Sequence, residues 1–270
     1  MTQTQIKVAI GLILAVALGL GIAGFLMGTP QTATPQLEAT STAVATATFT
    51  LAPTPTEGIT PSLTATEMVE ATATVTAPTP AAYNYPESFY ITDITGHRQV
   101  YSLGCEASVS VDWANYFDVP IIEYTFQVSL PLSDNPDYGF VGDVNSPWGQ
   151  IPPYGYGVHA GPVADLLISY GLPAKSVKGY TLDALKQKVS ESKPIIAWVI
   201  GNMEWSEPVN YTDSEGRVSV VAPYEHVVII TGYNADSIRY MTNGRFFDTP
   251  TDVFMTSWGV LGNMAVIYGE

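Results

Sequence analysis

The feature that most constrains this 270-residue chain is a long segment that cannot build a hydrophobic core. From Gly28 to Ala82 the sequence is mostly Thr, Ala and Pro with a few Glu. Such a composition buries too little apolar surface to offset the entropy lost on ordering, and its prolines keep the backbone extended. We therefore predict a disordered stalk over residues 28–82 and one folded domain over residues 83–270, which is long enough for a real core.

An uncharged apolar run precedes this stalk. Residues Val8 to Met27 are all Ala, Val, Ile, Leu, Gly, Phe or Met, which is long enough to span a bilayer as a helix. Lys7 lies before the run and the next basic residue is Arg98, so the charge asymmetry places the amino terminus in the cytoplasm. We predict a membrane anchor over residues 1–27 with the folded domain outside the cell. A cleaved signal peptide, which would make the domain a secreted one, is the alternative.

Charge and cysteine content exclude several classes of partner. Residues 83–270 contain 21 Asp and Glu against 9 Lys and Arg, which gives a net charge of −12. A surface this acidic repels nucleic acid, so we expect no nucleic-acid partner. The single cysteine excludes an internal disulfide and a multi-thiolate zinc cluster, and the three histidines are far apart in sequence. We expect neither a metal nor another cofactor.

The hydrophobic periodicity changes along the folded part. Residues 107–113 alternate like a strand, yet Val109, Trp113 and Phe117 keep helical spacing, and we predict a helix there. Further helices are predicted over 163–170, where Gly171 follows the end, and over 182–189, where Thr181 is placed as the N-cap. A short β-type run is predicted over 90–95. Further strand patterns are found at 195–200, 217–222, 226–233, 237–242, 245–247 and 264–268, with a short helix near 252–257. Helices followed by antiparallel strands predict an α+β fold.

The lone cysteine, Cys105, follows a glycine at the point where a turn opens into the first helix. Backbone N–H groups and the helix dipole stabilise a thiolate in that position, as a nucleophile requires. Gln99, six residues upstream, can fold back and donate a hydrogen bond to the oxyanion formed when a thiolate attacks a carbonyl. The alternative is that Cys105 is a small buried core residue and Gln99 a solvated loop residue.

A base for such a nucleophile is found at the opposite end of the domain. His226 opens an apolar strand, so its imidazole can face a cleft while the following residues anchor it in the sheet. A core or surface histidine bonded to a backbone carbonyl is the alternative. Asn243 returns near His226 through one hairpin and could hold the second ring nitrogen, with Asp236 and Asp248 as other candidates.

A segment rich in Gly, Pro and aromatic residues, 130–158, separates these two parts of the chain. A connection of this length is usually functional or disordered, and its aromatic content argues against disorder. We predict an ordered wall of the site lined by Trp148 and Tyr154. His159, at the mouth of the next helix, is a rival base, and we expect it to have a structural or substrate-binding role.

These residues together resemble the papain-like cysteine peptidases of the bacteriocin-processing type, the peptidase C39-like enzymes. The resemblance is carried by Gln99, the Leu-Gly-Cys-Glu-Ala run around Cys105, His226 and a polar residue 17 positions later. Segments beginning at 139, 147, 157, 223 and 257 are similar to a bacterial, cell-surface branch. The resemblance implies a papain-like fold in which a Cys-bearing helix packs on an antiparallel sheet. It also implies that Cys105 is the nucleophile, His226 the general base and acid, Asn243 the orienting residue and Gln99 the oxyanion donor.

Two features depart from the bacteriocin-processing enzymes. Their third catalytic position is usually Asp, whereas this chain has Asn243, and no transporter sequence follows the domain. The sequence therefore predicts a membrane-tethered extracellular cysteine peptidase or amidase that acts on a peptide or protein through an acyl-enzyme. A non-catalytic surface binding module on the same fold and a peptide transferase are the alternatives.

Overall fold

A computed structural model describes residues 83–269 of the chain. The predicted anchor and the predicted stalk lie outside the described residues, and the domain boundaries stay predictions. Within residues 83–269, every helix is too short or too polar to cross a bilayer.

Five helices and nine strands make up the described part of the chain. The helices are α1 (Cys105–Tyr116), α2 (Glu123–Ser129), α3 (Ala160–Ser169), α4 (Leu182–Ser190) and α5 (Thr251–Gly259). The strands are β1 (Phe89–Tyr90), β2 (Ala174–Val177), β3 (Ile195–Ile200), β4 (Val209–Thr212), β5 (Val218–Val221), β6 (Glu225–Tyr233), β7 (Ser237–Thr242), β8 (Arg245–Pro250) and β9 (Ala265–Tyr268).

Seven of these strands form one antiparallel sheet. Six of them lie in the order β2-β9-β3-β6-β7-β8, and β1 pairs with the far end of β6. The central pair is β3 with β6, in which Val199 lies opposite His226 and Ile200 opposite Glu225. Strands β4 and β5 form a separate hairpin.

Helix α1 packs against β6 and β3 and is buried almost throughout. All ten residues from Cys105 to Ala114 are buried, which explains why the sequence of α1 shows no polar stripe. Trp113 is fully buried, and its indole Nε1–H donates to the carbonyl of Pro194, directly before β3, at 2.8 Å. The carboxyl half of α1 is thus tied to the central strand.

The α+β architecture with its antiparallel sheet is the one that the sequence predicts. The helical spacing at 107–113 is confirmed over the strand-like alternation, and Thr181 caps α4 by accepting from the N–H of Ala184 at 3.1 Å. The β-type run expected over 90–95 was wrong beyond Tyr90, since only Phe89 and Tyr90 pair with β6. Three short elements, α2, β2 and β4, were missed because each has fewer than eight residues and little periodicity.

The long connection between α2 and α3 is ordered by its own polar contacts. The buried amide of Asn135 donates to Asp213 at 2.9 Å and accepts from the hydroxyl of Ser219 at 2.5 Å. Two isolated bridges, between 132 and 140 and between 141 and 157, fold the connection back on itself. This agrees with the predicted ordered wall.

Gly142 and Gly171 provide a matched test of how tightly this connection is packed. Both have a left-handed backbone, with φ of 93° and 87°, so each alanine variant is strained by about 1–2 kcal/mol. A Cβ on Gly142 would also overlap the backbone of Gly155, whereas one on Gly171 meets nothing. We expect Gly142→Ala to lower the free energy of unfolding by about 1–3 kcal/mol more than Gly171→Ala does, measured by urea denaturation. Equal losses in the free energy of unfolding would show that the connection shifts easily to make room for the added methyl group.

Candidate active site

The four predicted catalytic residues line one cavity of about 350 Å³. The cavity lies at the beginning of α1, beside the first residues of β6 and the turn after β7. Its size falls within the range of ordinary ligand pockets. The residues that line it are Gln99, Ser102, Cys105, Trp148, Asn202, His226 and Asn243.

Cys105 is the first residue of α1, where the first N–H groups of a helix have no acceptor within the helix. Its side chain is buried, and Sγ donates a hydrogen bond to Oε2 of Glu106 at 3.1 Å. Burial raises the pKa of this thiol well above its usual value, and the negative charges of Glu106 and Glu225 raise it further. Cys105 is therefore a thiol at neutral pH in the substrate-free protein.

His226 is partly buried at the start of β6. Desolvation lowers the pKa of its imidazole to about 4, so the ring is neutral at pH 7. Its Nε2 lies 2.9 Å from the hydroxyl oxygen of Thr242, the last residue of β7. An Nε2–H that donates to this oxygen leaves Nδ1 as the proton acceptor, which is the arrangement that a general base needs.

The expected orienting residue, Asn243, contacts a different group. Its backbone is left-handed, with φ of 51°, and its Oδ1 accepts from the backbone N–H of Gln99 at 3.2 Å. The group that holds the imidazole is instead Thr242, one residue earlier. The other two candidates, Asp236 and Asp248, are exposed and are not among the residues of the cavity.

Gln99 lies on the loop that enters α1, as expected for an oxyanion donor. Its Nε2 donates to the carbonyl of Tyr101 at 2.8 Å and to that of Ser102 at 3.4 Å. These bonds hold the side chain folded over the turn before Cys105. The amide is thus at the cavity, but its hydrogens are bonded to the protein itself.

Of the two expected aromatic wall residues, the cavity includes Trp148 only. The indole lies 5.2 Å from the ring of Tyr224 and 6.2 Å from that of His226, and its Nε1–H donates to the carbonyl of Glu225 at 2.8 Å. Tyr154 is 66% exposed and is not among the lining residues. Trp148 therefore covers the strand start that carries His226.

His159 lies away from the cavity and is 1% exposed. Its Nδ1 bonds to Asp137 at 2.9 Å, and its Nε2 lies 3.4 Å from the hydroxyl of Tyr156. Burial lowers the pKa of this imidazole, and Asp137 opposes that shift. Of its two expected roles, the contacts favour the structural one and do not support substrate binding.

Three residues at the site, Ser102, Thr242 and Asn202, were not predicted from the sequence. Ser102 belongs to the same turn as Gln99, so it could have been found from that turn. Asn202 follows the end of β3, and the antiparallel pairing of β3 with β6 places that end beside the beginning of β6. Thr242 could have been found from the same hairpin that suggested Asn243.

One group of three potential metal ligands lies close together within residues 83–269: Cys105, Glu106 and Glu225, whose ligand atoms are all within 4.8 Å. Both oxygens of Glu106 already accept hydrogen bonds, from the thiol at 3.1 Å and from the N–H of Val158 at 2.6 Å. We therefore assign no metal to these side chains.

A cysteine at the start of a helix that packs on an antiparallel sheet carrying a histidine defines the protein as cysteine peptidase-like. The chain belongs to the Peptidase_C39 like family, whose model matches residues 38–249. This confirms the resemblance found in the sequence.

One solved structure shares this fold. A Bacillus anthracis protein described as a C39-like peptidase is 20% identical with a TM-score of 0.61, over 68% of this chain and 98% of its own. Xylellain, a cysteine protease from Xylella fastidiosa, is 12% identical with a TM-score of 0.38, over 69% and 87% of the two chains. Among curated proteins, no sequence matches the chain.

The ionisation of Cys105 can be measured directly because the chain has no other cysteine. A neutral thiol beside a neutral imidazole predicts that the rate of alkylation by iodoacetamide rises steadily from pH 5 to pH 8. The same profile in urea reports the unfolded thiol, near pH 8.5, and we expect the folded midpoint to be higher. A rate plateau below pH 6 would instead indicate a thiolate–imidazolium pair and would contradict the assignment.

Proposed function

We propose that the protein is a thiol hydrolase that cuts peptide or amide bonds through an acyl-enzyme on Cys105. The observation that carries the proposal is that Gln99, Cys105, His226 and Asn243, which come from distant parts of the chain, line one cavity. Membership of a cysteine peptidase family supports a peptide or protein as the substrate.

In the proposed reaction, Nδ1 of His226 takes the thiol proton as Sγ attacks the substrate carbonyl carbon. The oxyanion accepts hydrogen bonds from Nε2–H of Gln99 and from the backbone N–H of Cys105. The imidazolium then gives its proton to the leaving amine as the C–N bond breaks. Water, deprotonated by His226, attacks the thioester, and release of the carboxylic acid restores the thiol.

Two side chains must turn before this chemistry begins. In the structure Sγ of Cys105 donates to Glu106, so the thiol must turn toward Nδ1 of His226. The amide of Gln99 bonds to the carbonyl groups of the turn before α1. Catalytic hydrogen bonds are often long or misaligned without substrate. A bound substrate carbonyl would supply a new acceptor for the amide of Gln99 and a target for the sulfur of Cys105, and both side chains would reorient.

We further propose that residues 1–27 anchor the enzyme in a membrane and that residues 28–82 hold the folded domain away from it. The apolar run from Val8 to Met27 and the Thr, Ala and Pro content of the following segment support this arrangement. The substrate would then be a peptide outside the cell.

The proposal is tested by incubating the full chain in detergent with a diverse peptide library and detecting new termini by mass spectrometry. We expect cleavage by the wild type and none by Cys105→Ala or His226→Ala with folding intact. Products joined to an added amine would show transfer instead of hydrolysis. Binding of peptides without any covalent product would favour a binding module and overturn the enzymatic reading.

The roles of Thr242 and Asn243 can be separated with a cleaved peptide in hand. Thr242→Val leaves the Nε2–H of His226 without its acceptor, at a cost of about 1–3 kcal/mol, so we expect kcat/KM to fall about 5-fold to 150-fold. Thr242→Ser keeps the hydroxyl and should retain most of the activity. Asn243→Gly, which tolerates the left-handed backbone, removes the bond to the Gln99 loop and should cost less than Thr242→Val does. The reverse order would return the orienting role to Asn243.

A further inference from the structure

Two buried carboxyl groups lie directly behind the proposed nucleophile. Glu106 follows Cys105 in α1 and is 1% exposed, and Glu225 precedes His226 in β6 and is 3% exposed. Sγ of Cys105 and one carboxyl oxygen from each glutamate all lie within 4.8 Å of one another. The reaction proposed above uses neither carboxyl group.

The two groups differ in their partners. Glu106 accepts from the N–H of Val158 at 2.6 Å and from the thiol at 3.1 Å, whereas both side-chain oxygens of Glu225 are buried without a partner. Because Gly157 has no side chain, there is room beside it for the carboxyl groups of Glu106 and Glu225. A Cβ there would overlap Oε1 of Glu106 and would lie 3.4 Å from Oε2 of Glu225.

Within residues 83–269, no compensating cation is found around the two carboxyl groups. The ionisable groups that interact with the pair are Cys105 and the hydroxyl of Tyr156, beyond which lie His159 and Asp137. His226 is the next residue of β6 and is neutral at pH 7. Among the described residues, no Lys or Arg is found to act on either carboxyl group.

Two carboxyl groups that share a buried site cannot both ionise, because each charge opposes the other and neither is solvated. Burial raises the pKa of Glu106 to about 7, and burial together with the charge of Glu106 raises the pKa of Glu225 well above its usual value. The better-solvated carboxylate is Glu106, since its two oxygens accept two hydrogen bonds.

We propose that the pair carries one proton, on Glu225, and that the resulting single negative charge on Glu106 accepts the S–H of Cys105 and holds it as a thiol turned away from His226. The two glutamates are positioning residues: Glu106 bonds to the thiol, Glu225 lies within 4.8 Å of it, and neither enters the reaction. The inference rests on the proposed function only in taking Cys105 as the nucleophile.

The test is a double-mutant cycle with Glu106→Gln, Glu225→Gln and the double variant, in which the readout is the pH midpoint of iodoacetamide alkylation at Cys105. Glu225→Gln keeps the ionised carboxylate of Glu106, so we expect its midpoint to stay within about half a pH unit of the wild type. Glu106→Gln leaves only Glu225, which burial without a hydrogen-bond partner keeps protonated, so we expect its midpoint to fall. The double variant has no carboxyl group left and should have a midpoint lower than that of the wild type by about 1–3 pH units. The matched control is Glu207→Gln, an exposed glutamate, which should leave the midpoint unchanged.

A second readout is the infrared spectrum, which is informative for the wild type alone, even if the variants do not fold. The wild type at pH 8, above the pKa of Glu106, should show the infrared band of one protonated carboxylic acid, and folded Glu225→Gln should lose it. Near-ultraviolet circular dichroism identifies which variants are folded. No such band in the wild type would overturn the proposal.

Other outcomes of the cycle would also contradict it. Single variants that each lower the midpoint, with effects that add in the double variant, would mean that both carboxyl groups are charged. An unchanged double variant would mean that the pair does not act on Cys105. Protection of the wild-type thiol by micromolar zinc, lost in Glu225→Gln, would identify a cation site instead. None of these readouts depends on peptide cleavage, so failure of the proposed function would be seen separately.

Discussion

The antiparallel pairing of β3 with β6 is the interaction on which the rest of the structure depends. All six residues of β3 are buried, and its last two lie opposite His226 and Glu225. Helix α1 packs on the same two strands, which fixes its first residue, Cys105, at the edge of the sheet where β6 begins. One strand pair thus brings together groups that are more than a hundred residues apart in the chain.

Burial also determines which groups are charged where β6 and α1 begin. A low dielectric disfavours every charged form, so it lowers the pKa of His226 and raises those of Cys105, Glu106 and Glu225. The positive end of the α1 dipole acts in the opposite direction on Cys105, but only by a fraction of a charge. Desolvation together with a neighbouring carboxylate outweighs it, and the resting pair of nucleophile and base is neutral.

Local patterns predicted the scaffold better than they predicted the site. The apolar run of β3, the Asn243–Gly244 turn and the Thr181 cap are each specified by neighbours in sequence, and the structure confirms them. The partner of His226 is not specified by neighbours in sequence. Successive residues at a strand end point in different directions, so tertiary packing decides whether Thr242 or Asn243 bonds to the imidazole. Similarly, the burial of His159 depends on Asp137 and Tyr156, which no periodicity connects to it.

The hydrogen bond from the thiol of Cys105 to Glu106 is weak enough to be compatible with catalysis. A hydrogen bond from a thiol to a charged acceptor is worth at most about 1.5–3 kcal/mol net. Because each 1.36 kcal/mol is a factor of ten, the thiol would face His226 in roughly one molecule in ten to one in a hundred or so. A substrate carbonyl that binds beside Gln99 and excludes water can supply that energy, whereas a small reagent that only collides with the cavity cannot. The carboxyl pair would therefore suppress adventitious reactions of the only thiol in the chain more than it suppresses turnover.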